Sequence, residues 1–414
     1  MIKVGTDFSG IGSPEAALKR LGIPHHNVFA CDIDKYAEKS FLELNKPDKF
    51  YKDITTRDYK EVPQLDLYVA GFPCQSFSIA GQRKGFNETR GTLFFNVAEF
   101  IKVNQPKCFI LENVKGLLSH DSGKTYQTIT DVLTNGGGTL NGQIGMDTID
   151  DGLGYHVYTK VLNTKDYGIP QNRERIFIVG FKYYRDFNFP IKSPLLNKLK
   201  DILEQDVNDK YYLSQKMIEG FSNHKERHKE KGTGFKWQPK SGDDIANCLR
   251  ANAALCPTDN SILVHSLYPR SSKTGKGGVG HLSKQDGTTY CLDTGNNQAI
   301  EVIETNNKRL NQNLKKHKNQ LENGDFMDSY NQTIHKYITP TITSRVQASN
   351  CSHIYNDKKI RRLTPLECWR LQGFTDEEFY KAQKVNSDTQ LYKQAGNSIT
   401  VNVMTAILKK IYLK

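Results

Sequence analysis

The residues that decide the fold are 2 to 15, Ile2-Lys3-Val4-Gly5-Thr6-Asp7-Phe8-Ser9-Gly10-Ile11-Gly12-Ser13-Pro14-Glu15. Their pattern predicts a strand, a glycine turn and the start of a helix, with Ser13 as the helix cap and Pro14 in the first turn. Asp32 follows 20 residues after Gly12, at the end of a second predicted strand. An acidic side chain in that place usually binds a ribose, so the arrangement indicates the nucleoside-binding half of an α/β sheet.

The glycine turn favours a cofactor without phosphate groups. The third glycine of the dinucleotide-binding pattern is missing, and Glu15 occupies the first helical turn, where a pyrophosphate would need the amide hydrogens and the positive helix dipole. A carboxylate there disfavours NAD, which makes an NAD-dependent oxidoreductase the weaker alternative. The turn fits a nucleoside cofactor such as S-adenosylmethionine.

The first 180 residues alternate β-rich runs with helical stretches. This alternation predicts an α/β fold with a doubly wound, mostly parallel sheet. The predicted strands are Ile2 to Phe8, Val28 to Asp32, Leu65 to Ala70, Lys107 to Glu112, Tyr155 to Leu162 and Arg175 to Phe181. The predicted helices begin at Pro14, Lys35, Thr92 and Thr125, and two more cover Thr364 to Gly373 and the residues after Thr400.

The chain of 414 residues is too long for one ordinary domain. We expect a catalytic and cofactor-binding domain at 1–185, a smaller, irregular β-rich domain at 186–350, and a return segment at 351–414 that completes the first domain. The formal net charge is +12, and the whole excess lies after residue 180. A neutral first part followed by a basic second part indicates that the second part binds a polyanion.

Several classes of protein are excluded by composition. No apolar run approaches the roughly eighteen residues needed to cross a bilayer, and residues 1–12 lack the features of a secretory signal, so we expect a cytoplasmic protein. The eight cysteines include no CxxC pair. His224 and His228 have no further ligand at metal-binding spacing. Free thiols and no bound metal are the expectation.

Cys74 follows a predicted strand, in Gly71-Phe72-Pro73-Cys74-Gln75-Ser76-Phe77-Ser78. Open α/β sheets carry their reactive groups at the carboxyl ends of parallel strands. A cysteine there is a nucleophile if its thiolate is stabilised, although an isolated cysteine is more often a small buried residue. Cys74 is therefore a candidate nucleophile that needs support from its neighbours.

A carboxyl group and two arginines accompany later strands. Glu112 ends the strand that begins at Cys108, where it is either a structural hydrogen-bonding group or an acid of the site. Arg173 and Arg175 are two residues apart, so on an extended strand they would point the same way and converge on one anionic or carbonyl target. Salt bridges to surface carboxylates are the alternative.

Six motifs occur in the order of a known family. They are Phe8-Ser9-Gly10-Ile11-Gly12, Gly71-Phe72-Pro73-Cys74-Gln75-Ser76-Phe77-Ser78, Arg90-Gly91-Thr92-Leu93-Phe94, Glu112-Asn113-Val114, Gln171-Asn172-Arg173-Glu174-Arg175 and Gln394-Ala395-Gly396-Asn397-Ser398. Together they resemble the C5-type cytosine-specific DNA methyltransferases of bacterial restriction-modification systems and phages. The resemblance covers about residues 1–182 and 355–410, and 186–350 corresponds to the family's variable target-recognition region.

The resemblance implies an enzyme that transfers a methyl group from S-adenosylmethionine to C5 of a flipped cytosine in a specific sequence of double-stranded DNA. Cys74 would attack C6 and form a covalent intermediate. Glu112 would hold the N3 and amino edge of the base and supply a proton, and Arg173 and Arg175 would bind O2. S-adenosylhomocysteine would be released, and no metal would take part.

The resemblance also implies binding residues. The expected cofactor contacts are Phe8, Gly10, Gly12, Asp32, Ile33, Asp53, Ile54, Pro73, Leu93, Asn397 and Ser398. Two of these depart from the family, since the ribose position is often Glu and the residue after it is often aromatic. The expected DNA contacts lie in and after the Cys74 motif, at Gln75, Ser78, Arg83 and Lys84.

Two alternatives stay open within this resemblance. A tRNA cytosine-5 methyltransferase would have the same catalytic layout, but such relatives typically carry Phe-Thr after the active-site cysteine, whereas residues 75–78 here are Gln-Ser-Phe-Ser. A non-catalytic DNA-binding homologue is disfavoured because every catalytic position is intact. We expect a monomer with no membrane partner, and a cognate restriction endonuclease would be a genetic but not a physical partner.

Overall fold

The structure is a computed structural model. It describes residues 1–73, 93–134, 152–205, 207–232, 237–241, 243–251, 260–264, 326–328, 333–335, 352–354 and 359–413. The chain forms two compact units, the first made of Met1–Tyr211, Lys225–Asn260 and Arg362–Lys414, and the second of Tyr212–His224 and Ser261–Arg361. The functional division at 186–350 stays a prediction, and we note that 186–211 and 225–260 lie in the first unit.

A seven-stranded sheet forms the centre of the first unit. Its strands are β1 (Ile2–Asp7), β2 (His25–Cys31), β3 (Lys49–Tyr51), β4 (Leu67–Ala70), β5 (Cys108–Val114), β6 (His156–Asn163) and β8 (Glu174–Phe181). They lie in the order β3-β2-β1-β4-β5-β8-β6. The first five in that order are parallel, and β8 runs antiparallel to both β5 and β6. The predicted, mostly parallel sheet is confirmed, and β3 is an addition to the predicted strands.

The part of the chain that the structure describes contains the following α-helices. They are α1 (Ser13–Arg20), α2 (Lys35–Leu44), α3 (Leu93–Asn104), α4 (Lys124–Leu133), α5 (Gln215–Glu230), α6 (Pro365–Leu371), α7 (Asp376–Gln383), α8 (Asp388–Asn397) and α9 (Val401–Tyr412). The helices after residue 364 return to the first half of the chain, since α9 packs on α1 and α7 packs on α2. A buried hydrogen bond from Ser40 Oγ to Gln394 Oε1 (3.0 Å) fastens the two parts together.

The helix boundaries follow local chemistry. Thr364 caps α6 by accepting a hydrogen bond from the Glu367 N–H, and the Glu367 side chain accepts one from the Thr364 N–H in return. Gly373, at φ 82°, takes the left-handed conformation that ends a helix, as predicted. The predicted Ser13 cap is wrong, because Gly12 occupies the cap position and the Ser13 hydroxyl bonds to the Ile399 carbonyl (2.7 Å).

The remaining described strands are short. β7 (Gln171–Asn172) pairs in parallel with β9 (Ala246–Asn247) in the first unit. Further along the chain, β10 (Ser261–Val264) pairs with β14 (Lys359–Arg362), and β11 (Phe326–Asp328) lies between β12 (Thr333–His335) and β13 (Ser352–Ile354). Of these strands, β9, β10, β11 and β12 lie within residues 186–350, and the irregular β-rich domain expected there stays a prediction.

Strand register brings the site together. Asp7 at the end of β1 pairs with Ala70 at the end of β4, and Ala70 pairs with Leu111 of β5. The core beneath this edge is apolar and largely aromatic, with Tyr68 and Phe109 fully buried. The glycine turn after β1, the loop that begins at Gly71, and Glu112 therefore emerge side by side from one rigid edge.

Candidate active site

The glycine turn after β1 has the backbone that its sequence requires. Gly10 and Gly12 have φ angles of 54° and 85°, which are strained for residues with a side chain. A Cβ at Gly10 would meet no atom within 4 Å, so the backbone there borders open space. A Cβ at Gly12 would collide with Asn45. The two glycines thus serve different needs, access at one and close packing at the other.

Asp32 supports this turn from the end of β2. Its Oδ2 accepts a hydrogen bond from the Gly10 N–H (2.8 Å), and its Oδ1 accepts one from the Asp34 N–H (2.9 Å). Burial raises the pKa of Asp32, while those two amides lower it. The structure therefore brings together Gly10 and Asp32, two of the residues predicted to bind the cofactor. Phe8 and Gly12 belong to the same turn, within which the Gly12 N–H donates to the Ser9 carbonyl (3.0 Å).

Glu15, in the first turn of α1 after the glycine turn, is shielded from solvent. Its side chain is fully buried, Oε1 accepts a 3.3 Å hydrogen bond from the Thr6 hydroxyl, and Oε2 has no hydrogen-bond partner. Burial raises the pKa of Glu15 from its usual 4.5 to about 7. The acid whose position disfavours NAD is thus a buried group whose pKa burial raises to about 7.

The other predicted cofactor residues have varied surroundings. Ile33 is 83% exposed, and Ile54 is buried. Asp53 accepts hydrogen bonds from the amide and hydroxyl of Thr55, Pro73 and Asn397 are exposed, and Leu93 begins α3. Ser398 is buried, with its hydroxyl 2.9 Å from that of Ser13, which attaches it to the start of α1.

A buried ion pair joins the loop containing Asp53 and Ile54 to the end of β1. Arg57 donates to both carboxylate oxygens of Asp7, at 2.8 and 2.7 Å, and both side chains are inaccessible to solvent. Tyr68 donates a third hydrogen bond to Asp7 (2.6 Å). The guanidinium also lies 4.3 Å from the ring centre of Phe29. Sequence reasoning missed this cluster, because nothing in the spacing pairs residues 7 and 57.

Glu112 and Arg175 face each other across the pair of strands β5 and β8. Glu112 Oε1 lies 3.1 Å from Arg175 Nε, and the two side chains are only 12% and 18% exposed. Burial raises the pKa of Glu112, and the positive charges of Arg175 and Arg173 partly offset this effect. The carboxyl group is thus held in an environment that favours its protonated form more than water does.

The Glu112 carboxyl also borders the chain that leads to Cys74. A Cβ at Gly71 would lie 3.5 Å from Glu112 Oε2, and the neighbouring Asn113 donates a hydrogen bond to the Phe72 carbonyl (2.9 Å). Cys74 itself lies outside the described residues, as do the predicted DNA contacts Gln75, Ser78, Arg83 and Lys84.

Arg173 is held by a set of backbone carbonyls and shares one partner, Cys248, with Arg175. Its guanidinium donates to the backbone carbonyls of Leu249 (3.2 Å), Gly396 (3.0 Å) and Ser398 (2.9 Å), and it also contacts Cys248 Sγ (3.3 Å). Arg175 Nη2 lies 3.8 Å from the same sulfur, so the two guanidinium groups meet at Cys248, and their binding of a common anionic or carbonyl target stays a prediction. Arg173 is otherwise bonded to backbone carbonyls, and Arg175 forms the ion pair with Glu112.

Within the ranges given above, no group of three or more His, Cys, Asp or Glu side chains is arranged to hold a metal ion. No described helix has the length and apolar character to span a membrane. Cys31, Cys108, Cys248 and Cys368 are free thiols.

The fold and the site define a class. A mostly parallel seven-stranded sheet carries a glycine turn after β1 and an acid after β2, which is the arrangement of a Rossmann-like, S-adenosylmethionine-dependent methyltransferase. A family model described as C-5 cytosine-specific DNA methylase matches residues 6–413. The chain belongs to this family and is a DNA (cytosine-5-)-methyltransferase.

Curated relatives agree with this assignment. Orphan methyltransferase M.SPRI of Bacillus phage SPR is 33% identical, over 99% of this chain and 97% of the relative. Type II methyltransferase M.HpaII of Haemophilus parainfluenzae is 35% identical, over 98% and 88% of the two chains. Type II methyltransferase M1.ScrFI of Lactococcus lactis subsp. cremoris is 41% identical, over 98% and 76%.

Solved structures share the fold. The S. pombe Dnmt2 methyltransferase has a TM-score of 0.61 at 16% identity, with all of both chains covered. The Entamoeba histolytica methyltransferase EhMeth has a TM-score of 0.60 at 16% identity, covering 100% of this chain and 98% of that one. At such low identity these likenesses concern the fold alone. The family implies S-adenosylmethionine as methyl donor and DNA as substrate.

Proposed function

We propose that this enzyme methylates C5 of a cytosine that has been flipped out of a specific double-stranded DNA sequence, and that Cys74 forms a transient bond to C6 of that cytosine. The observation that carries the proposal is the buried pair of Glu112 and Arg175, which borders the Gly71 backbone three residues before Cys74. An acid and a cation at the end of adjoining strands suit the two polar edges of a pyrimidine.

The proposed reaction begins with the thiolate of Cys74. Its electron pair forms the Sγ–C6 bond while Glu112 donates its proton to N3, so that the ring becomes an enamine with electron density at C5. C5 then takes the methyl group from the sulfonium donor, which is left as a neutral thioether. The C5 proton passes to solvent water, the Sγ–C6 bond breaks to release the thiolate, and N3 returns its proton to Glu112, which restores the aromatic ring and the starting acid. A carboxyl group whose pKa burial has raised is suited to the proton donation.

Arg175 is the base-contacting arginine in this proposal. Its guanidinium is close enough to hold Glu112 in place and retains donors for the cytosine O2. The carbonyls that surround Arg173 favour a role in positioning over direct contact with the base. This division of labour revises the expectation that both arginines bind O2.

The turn and its neighbours fit S-adenosylmethionine. When bound, the cofactor supplies a methyl group activated by a sulfonium ion. The open space beside Gly10 admits the methionine part, the Asp32 carboxylate is placed for the ribose, and the exposed Ile33 offers an apolar surface to the adenine. We propose the same role for the remaining residues of the predicted cofactor set, which are Phe8, Gly12, Asp53, Ile54, Pro73, Leu93, Asn397 and Ser398.

The DNA-facing part of the proposal concerns the segment after Cys74. Gln75, Ser78, Arg83 and Lys84 would contact the duplex there, and the basic charge after residue 180 would hold the phosphate backbone. We further propose a monomeric cytoplasmic enzyme that associates with the nucleoid. A cognate restriction endonuclease, where one exists, would be its genetic partner and would not bind it.

The substrate is tested by offering duplex DNA and tRNA side by side with a radiolabelled methyl donor. The proposal expects label in the DNA only, and bisulfite sequencing of plasmid from expressing cells should show protected cytosines in one sequence context. Label confined to the tRNA would establish the tRNA methyltransferase alternative. Binding of duplex DNA and cofactor without any label in either substrate would indicate a non-catalytic homologue.

A further inference from the structure

We infer that Gln171 and Arg173 form a clasp on the backbone of Leu249, and that this Leu249 clasp positions both the cofactor turn and the base-binding arginine. The two residues are positioning residues and not contacts of the base. The inference rests on the proposed function for the roles of Arg175 and of the Gly396-to-Ser398 turn.

The clasp holds one residue at both of its backbone polar groups. Gln171 Oε1 accepts a hydrogen bond from the Leu249 N–H (3.1 Å), and Arg173 Nη1 donates one to the Leu249 carbonyl (3.2 Å). Gln171 and Arg173 are 0% and 3% exposed, so water does not compete for these bonds. A backbone segment far along the chain is thus fixed by two side chains, one from β7 and one from the residue directly after β7.

The other ends of the same side chains hold the return segment. Gln171 Nε2 donates to the Leu371 carbonyl (2.7 Å), at the end of α6. Arg173 Nη2 donates to the carbonyls of Gly396 (3.0 Å) and Ser398 (2.9 Å), on either side of Asn397. Each clasp residue therefore joins three parts of the chain, namely its own segment at 171–173, the 246–251 segment and the return segment.

Backbone packing supports the same arrangement. Ala246 N–H bonds to the Pro170 carbonyl (2.8 Å) as β9 pairs with β7. Just past Leu249, the backbone of Arg250 and Ala251 approaches Gly396 so closely that a Cβ at Gly396 would overlap it. Gly396 is thus required for contact between two chain segments, in addition to any contact with cofactor.

The consequence for the site follows from position. Ser398 is attached to the start of α1 through Ser13, and Arg175 lies two residues after Arg173 on the same stretch of chain. Loosening the clasp should therefore disturb both the Gly396-to-Ser398 turn, which is part of the proposed cofactor site, and the orientation of Arg175. A residue that only touched the base would disturb the base alone.

The test compares the variants Gln171→Met, Arg173→Lys and Arg173→Met with Asn172→Ala, a matched control whose exposed side chain lies between them and bonds to Asn163. Hydrogen–deuterium exchange of the free protein reports on the Leu249 amide. We expect roughly tenfold faster exchange over residues 246–251 in Gln171→Met and Arg173→Lys, and no change in Asn172→Ala. This readout needs no activity, so it can succeed even if the proposed reaction is wrong.

Calorimetric binding of S-adenosylhomocysteine without DNA gives the second readout. The clasp predicts that Gln171→Met and Arg173→Lys each bind S-adenosylhomocysteine several-fold more weakly than the wild type. The loss of affinity in the double variant that combines them should differ from the sum of the two single losses, because both side chains act through Leu249. Circular dichroism shows whether Arg173→Met is folded. If it is not, the inference is judged on Arg173→Lys and Gln171→Met alone. Wild-type rates of hydrogen–deuterium exchange over residues 246–251 in the Gln171 and Arg173 variants would overturn the clasp. It would also be overturned if these variants bound S-adenosylhomocysteine with wild-type affinity and were slow only in covalent trapping of the base.

Discussion

Glu112 and Arg175 form an ion pair of 3.1 Å across two antiparallel strands, with little of either side chain exposed. In the β5–β8 register Glu112 is opposite Phe177 and Arg175 is opposite Val114, so the pair spans the ladder diagonally on one face. Both partners are thus fixed by strands, which is the rigid support that proton transfer at a bound base requires.

Replacing the Glu112 acid should slow the first chemical step. Glu112→Gln keeps the shape and a hydrogen-bonding edge but has no proton to give, so the rate of covalent trapping of a 5-fluorocytosine duplex should fall by about 10²- to 10⁴-fold. The control is Glu174→Gln, an exposed carboxylate nearby that pairs with Lys115. Equal trapping rates for Glu112→Gln and the wild type would remove Glu112 from the mechanism.

The buried acid Glu15 should make stability depend on pH. Its pKa is about 7 in the folded protein and near 4.5 when unfolded, so the native state retains a proton that the unfolded state releases between these values. The contribution of the protonated Glu15 to the free energy of unfolding is fully present below pH 4.5. It is lost as the pH rises through 7, and the total loss is about 3 kcal/mol.

Urea unfolding of Glu15→Gln against the wild type at pH 5 and pH 8 measures this dependence. The variant cannot ionise, so its stability relative to the wild type should increase as the pH rises. The exposed Glu43→Gln provides the comparison. A difference between Glu15→Gln and the wild type that stays constant with pH would show that Glu15 does not titrate in this range.

The Arg57–Asp7 pair should be essential for stability. Arg57→Met leaves the Asp7 carboxylate buried with Tyr68 as its remaining partner, which should destabilise the protein by about 3–5 kcal/mol. It should also weaken cofactor binding, because Asp7 adjoins Phe8. Lys49→Met, which removes a solvent-exposed ion pair with Glu61, should have no measurable effect on thermal unfolding. Similar melting temperatures for the two variants would contradict this assignment.

Ile33 offers a test of the adenine surface that does not involve the core. Since this side chain is 83% exposed, Ile33→Ala should leave unfolding unchanged while weakening S-adenosylhomocysteine binding by about three- to tenfold. Ile33→Phe should bind S-adenosylhomocysteine as tightly as the wild type or more tightly, because the phenyl ring can stack on the adenine. Leu42→Ala, at another exposed apolar position, is the control. Wild-type affinity for S-adenosylhomocysteine in Ile33→Ala would show that the adenine does not bind against Ile33.

The elements that sequence reasoning predicted are those set by local pattern. The glycine turn, Asp32 after β2 and Glu112 near the end of β5 follow from strand ends in a parallel sheet, and the end of α6 just before Gly373 follows from one residue's backbone freedom. Such features depend on a few neighbouring residues, so one sequence is enough to locate them.

What could not be predicted depends on long-range partners. Ser13 has the chemistry of a helix cap, yet tertiary contact with Ile399 takes its hydroxyl. Arg173 and Arg175 have the spacing of a converging pair, yet the carbonyls of three distant residues surround Arg173. No local pattern carries these contacts, because they arise only when segments about 75 or more residues apart pack together.

The most direct test of the account is the covalent adduct itself. Wild-type protein incubated with a 5-fluorocytosine duplex and S-adenosylmethionine should form a denaturation-resistant complex, and peptide mass spectrometry should locate the link at Cys74. Cys74→Ser should form none and should transfer no methyl group, while still binding duplex and cofactor. An adduct on any other residue, or methyl transfer that survives in Cys74→Ser, would contradict the central claim.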